Sequence, residues 1–159
     1  MMNNFTNWTL TAICAALLTG CGSSQDKAEE LVEMMNVDAN YGLIVQAAAA
    51  GYAPKFRDVK PDQIKTVVKD KIPLKFLKQT MVDVYADTFD SDELDLMIKA
   101  NKNPANAMSI IMGSKDGQKL AMKAVRVQND LQMDMAKAMQ DKDEDILDEL
   151  NDLQDEARS

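Results

Sequence analysis

The side chains best suited to covalent chemistry are two cysteines, Cys14 and Cys21, because the chain contains no histidine. Histidine is the commonest general base and a frequent metal ligand, so its absence removes both of these chemistries together. Cys21 lies between two glycines and follows an apolar run that extends from Leu10 to Leu18. The residues after it are small and polar. Cys21 is therefore the first candidate for a modified residue.

The sequence Leu18-Thr19-Gly20-Cys21 resembles the bacterial lipobox. This resemblance implies that a diacylglycerol is attached to the thiol, that the chain is cut before Cys21, and that the freed amine is acylated, for example with palmitate. Each chain carbon buried in a bilayer contributes roughly 0.8 kcal/mol, so two or three acyl chains anchor a protein stably where one would not. The apolar run suits a signal peptide and is too short for the roughly 20 residues of a spanning helix. We therefore predict a lipoprotein whose lipidation site is Cys21.

Two other interpretations of this N-terminal segment remain open: an ordinary cleaved signal peptide, or the first helix of a cytoplasmic domain. The segment from Met1 to Trp8 has no Lys or Arg, which weakens the targeting signal. Gly22 stands where an aspartate would resemble an inner-membrane retention signal, so we expect the outer membrane, facing the periplasm. Cleavage would also remove Cys14. The mature chain would then have no pair of thiols for a disulfide, and its core alone must hold it together.

Composition predicts an all-α protein, since aromatic residues make up 5% of the chain and helix-forming residues are abundant. Apolar residues recur at steps of three and four, as on the buried face of a helix. We expect a small multi-helix bundle with a long C-terminal helix and an acidic end. The expected organisation is a signal peptide at 1–20, a tether at 21–27, a helical domain at 28–140 and an acidic helical tail at 141–159.

Local signals predict where several helices begin and end. Asp90 and Glu93 have the spacing of a capping box, and Ser114 is placed to cap the long helix. Pro61 suits a first helical turn, whereas Pro73 interrupts a helical run. A break between the first two helices is predicted at residues 40–42. Leu94 and Leu120 lie on apolar stripes that should be buried.

Residues 85–94 and 114–120 resemble segments of a bacterial envelope family, known as domain of unknown function 2059. These segments read Tyr-Ala-Asp-Thr-Phe-Asp-Ser-Asp-Glu-Leu and Ser-Lys-Asp-Gly-Gln-Lys-Leu, and the resemblance extends over about 55 residues. It implies a small, exported, all-helical protein. It implies no activity, because the family has none established. In this chain roughly ten extra residues separate the two segments.

The sequence offers few candidates for catalysis or for metal binding. The candidates whose residues lie close together in sequence are Ser114-Lys115 and the group Asp90, Asp92 and Glu93. Helix capping is the favoured role of both. We therefore expect no catalytic residue and no enzyme; a hydrolase is the third-ranked alternative.

Asp141, Asp143 and Asp145 imitate the start of a calcium loop, but the glycine and the final glutamate of such a loop are missing. The methionine thioethers could bind copper, but packing in the core is the favoured role, so no metal or cofactor is predicted.

Charge divides the chain into two contrasting regions. Residues 55–78 contain eight Lys or Arg and three Asp, a net charge of +5, whereas residues 141–156 contain nine acidic residues and one Lys, a net charge of −8. The basic region could face anionic lipid headgroups, or the acidic end could fold back on it. A sequence pI of about 4.5 makes nucleic acid an unfavourable partner.

These observations lead to one leading functional expectation and one alternative. We expect a non-enzymatic, membrane-anchored helical lipoprotein that contacts an unidentified envelope protein. The alternative is a carrier that binds a small molecule or a lipid in a Met-lined groove.

The acidic segment has too many carboxylates for the interior, but Ile146, Leu150 and Leu153 form a regular seam. We expect this segment to be dispensable for folding and needed for interaction.

Overall fold

The computed structural model describes residues 23–159, which form eight α-helices and one 3₁₀ turn and contain no β-strand. The helices are α1 (Ser24–Met34), α2 (Val37–Tyr52), α3 (Pro61–Lys71), α4 (Leu74–Thr88), α5 (Ser91–Lys102), α6 (Ala107–Met112), α7 (Lys115–Ala138) and α8 (Gln140–Arg158), and the 3₁₀ turn is Pro104–Asn106. The prediction of a small all-α bundle with a long helix near the C-terminus is confirmed. The signal peptide and Cys21 lie outside the described residues.

The two predicted N-terminal caps are present. The Asp90 carboxylate accepts the Glu93 N–H at 2.9 Å, and the Glu93 carboxylate accepts the Asp90 N–H at 2.9 Å, which is a complete capping box. The Ser114 hydroxyl accepts the Gly117 N–H at 3.0 Å. Each bond satisfies a backbone donor that has no partner inside its helix. These caps fix the starts of α5 and α7.

The first break in the chain lies at Asn36 and not at residues 40–42. Asn36 has φ 54°, in the left-handed region that Asn tolerates better than most residues, and α2 then runs without interruption through Gly42. The glycine weakens a helix locally, but Val45 and Ala49 bury one face of α2, and this packing outweighs the local preference. The predictions for Pro61 and Pro73 are confirmed, since they lie at the first residue of α3 and just before α4.

Buried apolar side chains form two clusters. The first cluster lies between α1, α4, α5 and the N-terminal part of α7. Its buried members are Ala28, Leu31, Val32, Val37, Leu77, Val82, Phe89, Leu94, Ile98 and Leu120. The predicted burial of Leu94 and Leu120 is thus confirmed. Further along α7 the seam is only partly covered, with Val127, Leu131 and Met135 half-buried against this cluster.

The second cluster lies between α2, α3 and α8. Its buried members are Val45, Ala49, Phe56, Val59, Ile64, Val67, Val68, Ile146 and Leu150. Ile146 and Leu150 have no exposed surface, while the carboxylates around them point to the outside of α8. The sequence left open whether the acidic end folds back onto the basic region. In the structure it does, because α8 packs against α2 and α3. The expectation that residues 141–159 are dispensable for folding is therefore replaced by the opposite prediction.

Candidate functional site

The end of the bundle next to the predicted lipidation site is well ordered by local hydrogen bonds. Ser23 is the first described residue, and its hydroxyl accepts the Asp26 N–H at 3.2 Å while the Asp26 carboxylate accepts the Ser23 N–H at 3.0 Å. Helix α1 therefore begins at Ser24, within the segment predicted as a tether. Gln25 donates to Asp83 of α4 at 2.9 Å, which ties this first turn to the bundle. An anchor on Cys21 would hold the body close to the membrane.

The first turn of α1 is also fixed by a buried lysine. Lys27 is buried, and its ammonium forms an ion pair with Asp95 of α5 and lies 3.3 Å from the Ser91 carbonyl oxygen. A buried charge is costly unless it is paired and hydrogen-bonded, and Lys27 is both. Lys27 therefore joins the start of α1 to α5.

The basic segment at residues 55–78 is partly neutralised by other helices. Lys71 lies 2.7 Å from Glu149 of α8, and the hydrogen bond between them raises the pKa of Lys71. Lys78 pairs with Glu33 of α1 and Asp38 of α2, and these hydrogen bonds raise its pKa too. The pairing within the molecule that the sequence left open is thus present at these positions.

Other lysines of the basic segment remain at the surface. Lys65, Lys69 and Lys75 are exposed, and no carboxylate of residues 23–159 lies within 4.0 Å of their ammonium groups. At the far end of the segment, Arg158 lies 2.7 Å from Asp58 and so closes α8 against the loop before α3. The basic segment therefore has an inner side that pairs with α1, α2 and α8, and an outer side that faces solvent.

The compact candidates for catalysis come together at one end of the bundle. Asp90, Asp92, Glu93, Ser114, Asp116 and Lys119 line one open depression of about 580 Å³. Ser114 and Asp90 are engaged as helix caps, and the Glu93 carboxylate also lies 2.5 Å from the Lys123 ammonium. Lys115, predicted beside Ser114, is exposed at the first residue of α7. The arrangement brings no base to the Ser114 hydroxyl.

The acidic residues that imitate a calcium loop are helical. Asp141, Asp143 and Asp145 lie in the first two turns of α8, where Asp143 accepts a hydrogen bond from Tyr52 and Asp145 pairs with Lys142. In the part of the chain from residue 23 onwards, no group of three or more His, Cys, Asp or Glu side chains could hold a metal ion. Asp143 therefore joins α8 to α2, whereas Asp145 pairs within α8.

The methionines divide into two groups. Met34, Met35, Met135 and Met139 pack against the first cluster as predicted. In contrast, the prediction of core packing is wrong for Met108, Met112 and Met133, which are exposed, as are Met122 and Val125. Met122, Val125 and Met133 lie on the side of α7 opposite to its packed seam, because their spacing places them on one stripe. A helical projection of residues 115–138 contains this second stripe, which sequence reasoning did not use.

Two further depressions between the described helices are open, and each is lined by both charged and apolar residues. The wall of one of them, of about 540 Å³, includes Tyr52, Met139, Lys137 and Asp143. Another, of about 360 Å³ between α1 and α4, is bordered by Glu29, Glu33, Asp38, Lys75 and Lys78. Of the residues that line these two depressions, Met139 alone is a methionine.

Comparisons with known protein families, with curated proteins and with solved structures find no match. Within residues 23–159 no helix is long and apolar enough to cross a membrane. The resemblances to the lipobox and to the envelope family therefore stay predictions that rest on the residues quoted for them.

Proposed function

We propose that this chain is a lipid-anchored, non-enzymatic helical protein of the bacterial envelope, attached to the membrane through Cys21 and contacting other envelope proteins through its body. The observation that carries the proposal is the sequence Leu18-Thr19-Gly20-Cys21, which ends an apolar run. The start of α1 at Ser24 supports it, because a folded body then follows the anchor directly. The outer membrane, facing the periplasm, is the proposed location.

Two observations support a binding role over a catalytic one. Ser114 and Asp90 belong to the candidates for catalysis, but their side-chain oxygen atoms accept hydrogen bonds from backbone N–H groups at helix starts. Exposed apolar side chains on α6 and α7, by contrast, form surface of the kind that receives partners, and Met is common on such surfaces because it adapts to different shapes. The carrier alternative has less support, since the depressions described above are open and Met139 is the one methionine on their walls.

Labelling with a radioactive fatty acid tests the anchor. Cells that express the parent chain should incorporate labelled palmitate into the protein. Cys21→Ala should abolish the label, and the variant protein should be either soluble or unprocessed. Cys14→Ala is the matched control, because it removes the other thiol while leaving the lipobox, and it should keep the full label. Equal labelling of Cys21→Ala and the parent would refute the anchor.

A further inference from the structure

Helices α7 and α8 are joined by a single residue, Met139. Its backbone, with φ −95° and ψ −4°, stays close to the right-handed helical region. The Met139 N–H donates to the Met135 carbonyl oxygen at 3.0 Å, and the Asp143 N–H donates to the Met139 carbonyl oxygen at 2.9 Å. Both bonds have the four-residue spacing of an α-helix. The joint is therefore a local interruption within one helical path.

The local sequence does not explain this interruption. Residues 136–144 read Ala-Lys-Ala-Met-Gln-Asp-Lys-Asp-Glu, without the glycine or proline at which helices usually break. Most of these residues favour a helix. Packing explains the interruption instead, because Ile146 and Leu150 of α8 are fully buried in the second cluster, whereas Met135 and Met139 pack against the first. The interruption is thus held by the docking of α8.

Straightening at Met139 would keep the apolar stripe on one side of the helix. Met135, Met139, Ile146 and Leu150 follow one another at steps of four, seven and four residues, which is the spacing of one helical face. The helical hydrogen-bond pattern would then continue across the joint. A straight helix made of α7 and α8 is about 66 Å long, and its α8 part projects about 28 Å beyond the joint.

Straightening would also uncover the surface on which α8 lies. Phe56, Ile64 and Val68 are buried in one cluster with Ile146 and Leu150, so removal of α8 would expose apolar side chains to water. An α8 helix from a second copy fits this surface, because its side chains are identical to those that occupy it in the structure.

We propose that two copies of this chain exchange their α8 helices. In the exchanged dimer each straight α7–α8 helix keeps α7 on its own body and carries α8 into the second cluster of the other copy. Exchange of an identical element is a low-cost route to a dimer, since every contact that a chain loses is made again between copies. The inference does not depend on the lipid anchor, because it concerns α7 and α8 alone.

Two ion pairs distinguish this exchange from any other dimer. Glu149 of α8 lies 2.7 Å from Lys71 of α3, so this pair forms between copies when α8 is exchanged. Lys123 of α7 lies 2.5 Å from Glu93 of α5, and this pair stays within one copy because α7 does not move. The first pair therefore reports the exchange, and the second is its matched control.

Zero-length crosslinking of isotope-labelled chains tests the exchange. Full-length protein labelled with light or with heavy nitrogen is extracted in detergent, mixed, held just below its melting temperature and cooled. A carbodiimide then links each paired lysine to its glutamate, and mass spectrometry of the digested protein identifies the isotope of each half. We expect Lys71–Glu149 peptides with one light and one heavy half, in a fraction with the mass of two chains by light scattering. Lys123–Glu93 peptides should be wholly light or wholly heavy.

A proline at position 141 tests the requirement for a straight helix. Proline is tolerated in the first turn of a helix but breaks a helix interior. Asp141 is exposed and is the second residue of α8, so Asp141→Pro suits the interrupted form and opposes the straight one. The variant should melt close to the parent and lose the mixed Lys71–Glu149 peptides. Asp141→Ala, which suits both forms, should keep them.

Three results would overturn the proposal. The first is a parent chain that yields no mixed Lys71–Glu149 peptide. The second is equal mixing in the Lys123–Glu93 peptides, because α8 would then not be the element that is exchanged. The third is a folded Asp141→Pro variant that still yields mixed Lys71–Glu149 peptides, because a straight helix would then be unnecessary. Circular dichroism checks the folding of both variants, and the parent chain alone decides the proposal if Asp141→Pro does not fold.

Discussion

At the scale of the residue, two glycines in helices have opposite surroundings. A Cβ atom added at Gly117 would lie 2.0 Å from the carbonyl oxygen of Ile111, so the backbone of α6 passes directly over the first turn of α7. A Cβ added at Gly42 would meet nothing within 4 Å. Gly117 is thus required by a close approach, whereas Gly42 only makes α2 less stable.

The two alanine substitutions should therefore change stability in opposite directions. Gly117→Ala forces a backbone apart and should lower the free energy of unfolding by about 1 to 3 kcal/mol, the usual cost of overpacking. Gly42→Ala should raise it by about 0.5 to 1 kcal/mol, because alanine restricts the unfolded chain and favours the helix. Urea denaturation followed by circular dichroism measures both. A shift of the same sign in the two variants would contradict this account.

Tyr52 is a second residue with a defined structural role. Its hydroxyl donates to the Asp143 carboxylate and so joins α2 to α8. Burial raises the pKa of Tyr52 well above its usual value, and the hydrogen bond and the negative charge of Asp143 raise it further. A group whose pKa is higher in the folded state stabilises that state below its unfolded pKa, which for tyrosine is about 10, and loses this effect as the pH rises beyond it.

Tyr52→Phe should reveal this contribution. Around neutral pH the variant should be less stable than the parent by about 1 kcal/mol, the typical net value of a hydrogen bond. The difference should shrink as the pH is raised above about 10, where the parent must lose the proton on unfolding. Denaturant titrations at a series of alkaline pH values test it, with Val125→Ala, at an exposed position without a titratable group, as control. A difference that stays constant over this range would refute the role of the proton.

At the scale of the element, α8 decides how much of the chain forms the folded body. Ile146 and Leu150 are fully buried beside Phe56 and Ile64, and Glu149 and Arg158 hold the helix by ion pairs to Lys71 and to the loop before α3. The ion pairs are at the surface and contribute little. The apolar seam is therefore what attaches α8.

Shortening this seam should destabilise the protein. Leu150→Ala removes a fully buried side chain and should cost about 2 to 5 kcal/mol. A chain that ends after Gln140 should lose the second cluster and melt at a clearly lower temperature. Val125→Ala, at an exposed position of α7, is the control and should change the melting temperature little. If the truncated chain melts at the same temperature as the parent, α8 does not contribute to the folded body.

The elements themselves were predictable from sequence wherever the determinant is local. The caps at Asp90 and Ser114 and the boundaries at the prolines depend on side chains next to the backbone that they bond or restrict. The left-handed turn at Asn36 was missed because Gly42 gives the stronger local signal, although packing overrides it. The burial of Ile146 was left open and the exposure of Met133 was missed for another reason, since periodicity identifies a stripe but does not tell which stripe another helix covers.

At the scale of the whole molecule, the proposed anchor at Cys21 precedes the helix that packs into the first cluster. The chain leaves Cys21, enters α1 at Ser24, and runs about 16 Å along this helix before it turns at Asn36 into α2. The first cluster supports the anchored end and the second cluster supports α2 from behind. A lipid on Cys21 would therefore be joined to the body through α1 and the first cluster.

The mass of the mature N-terminus tests the central claim most directly. No Lys or Arg precedes Lys27, so trypsin cuts a lipoprotein of this sequence to a first peptide of residues 21–27. Mass spectrometry of protein purified from membranes should find this peptide beginning at Cys21, heavier by a diacylglyceryl group and one further acyl chain. A first peptide that begins at Met1, or one that carries Cys21 unmodified, would contradict the account.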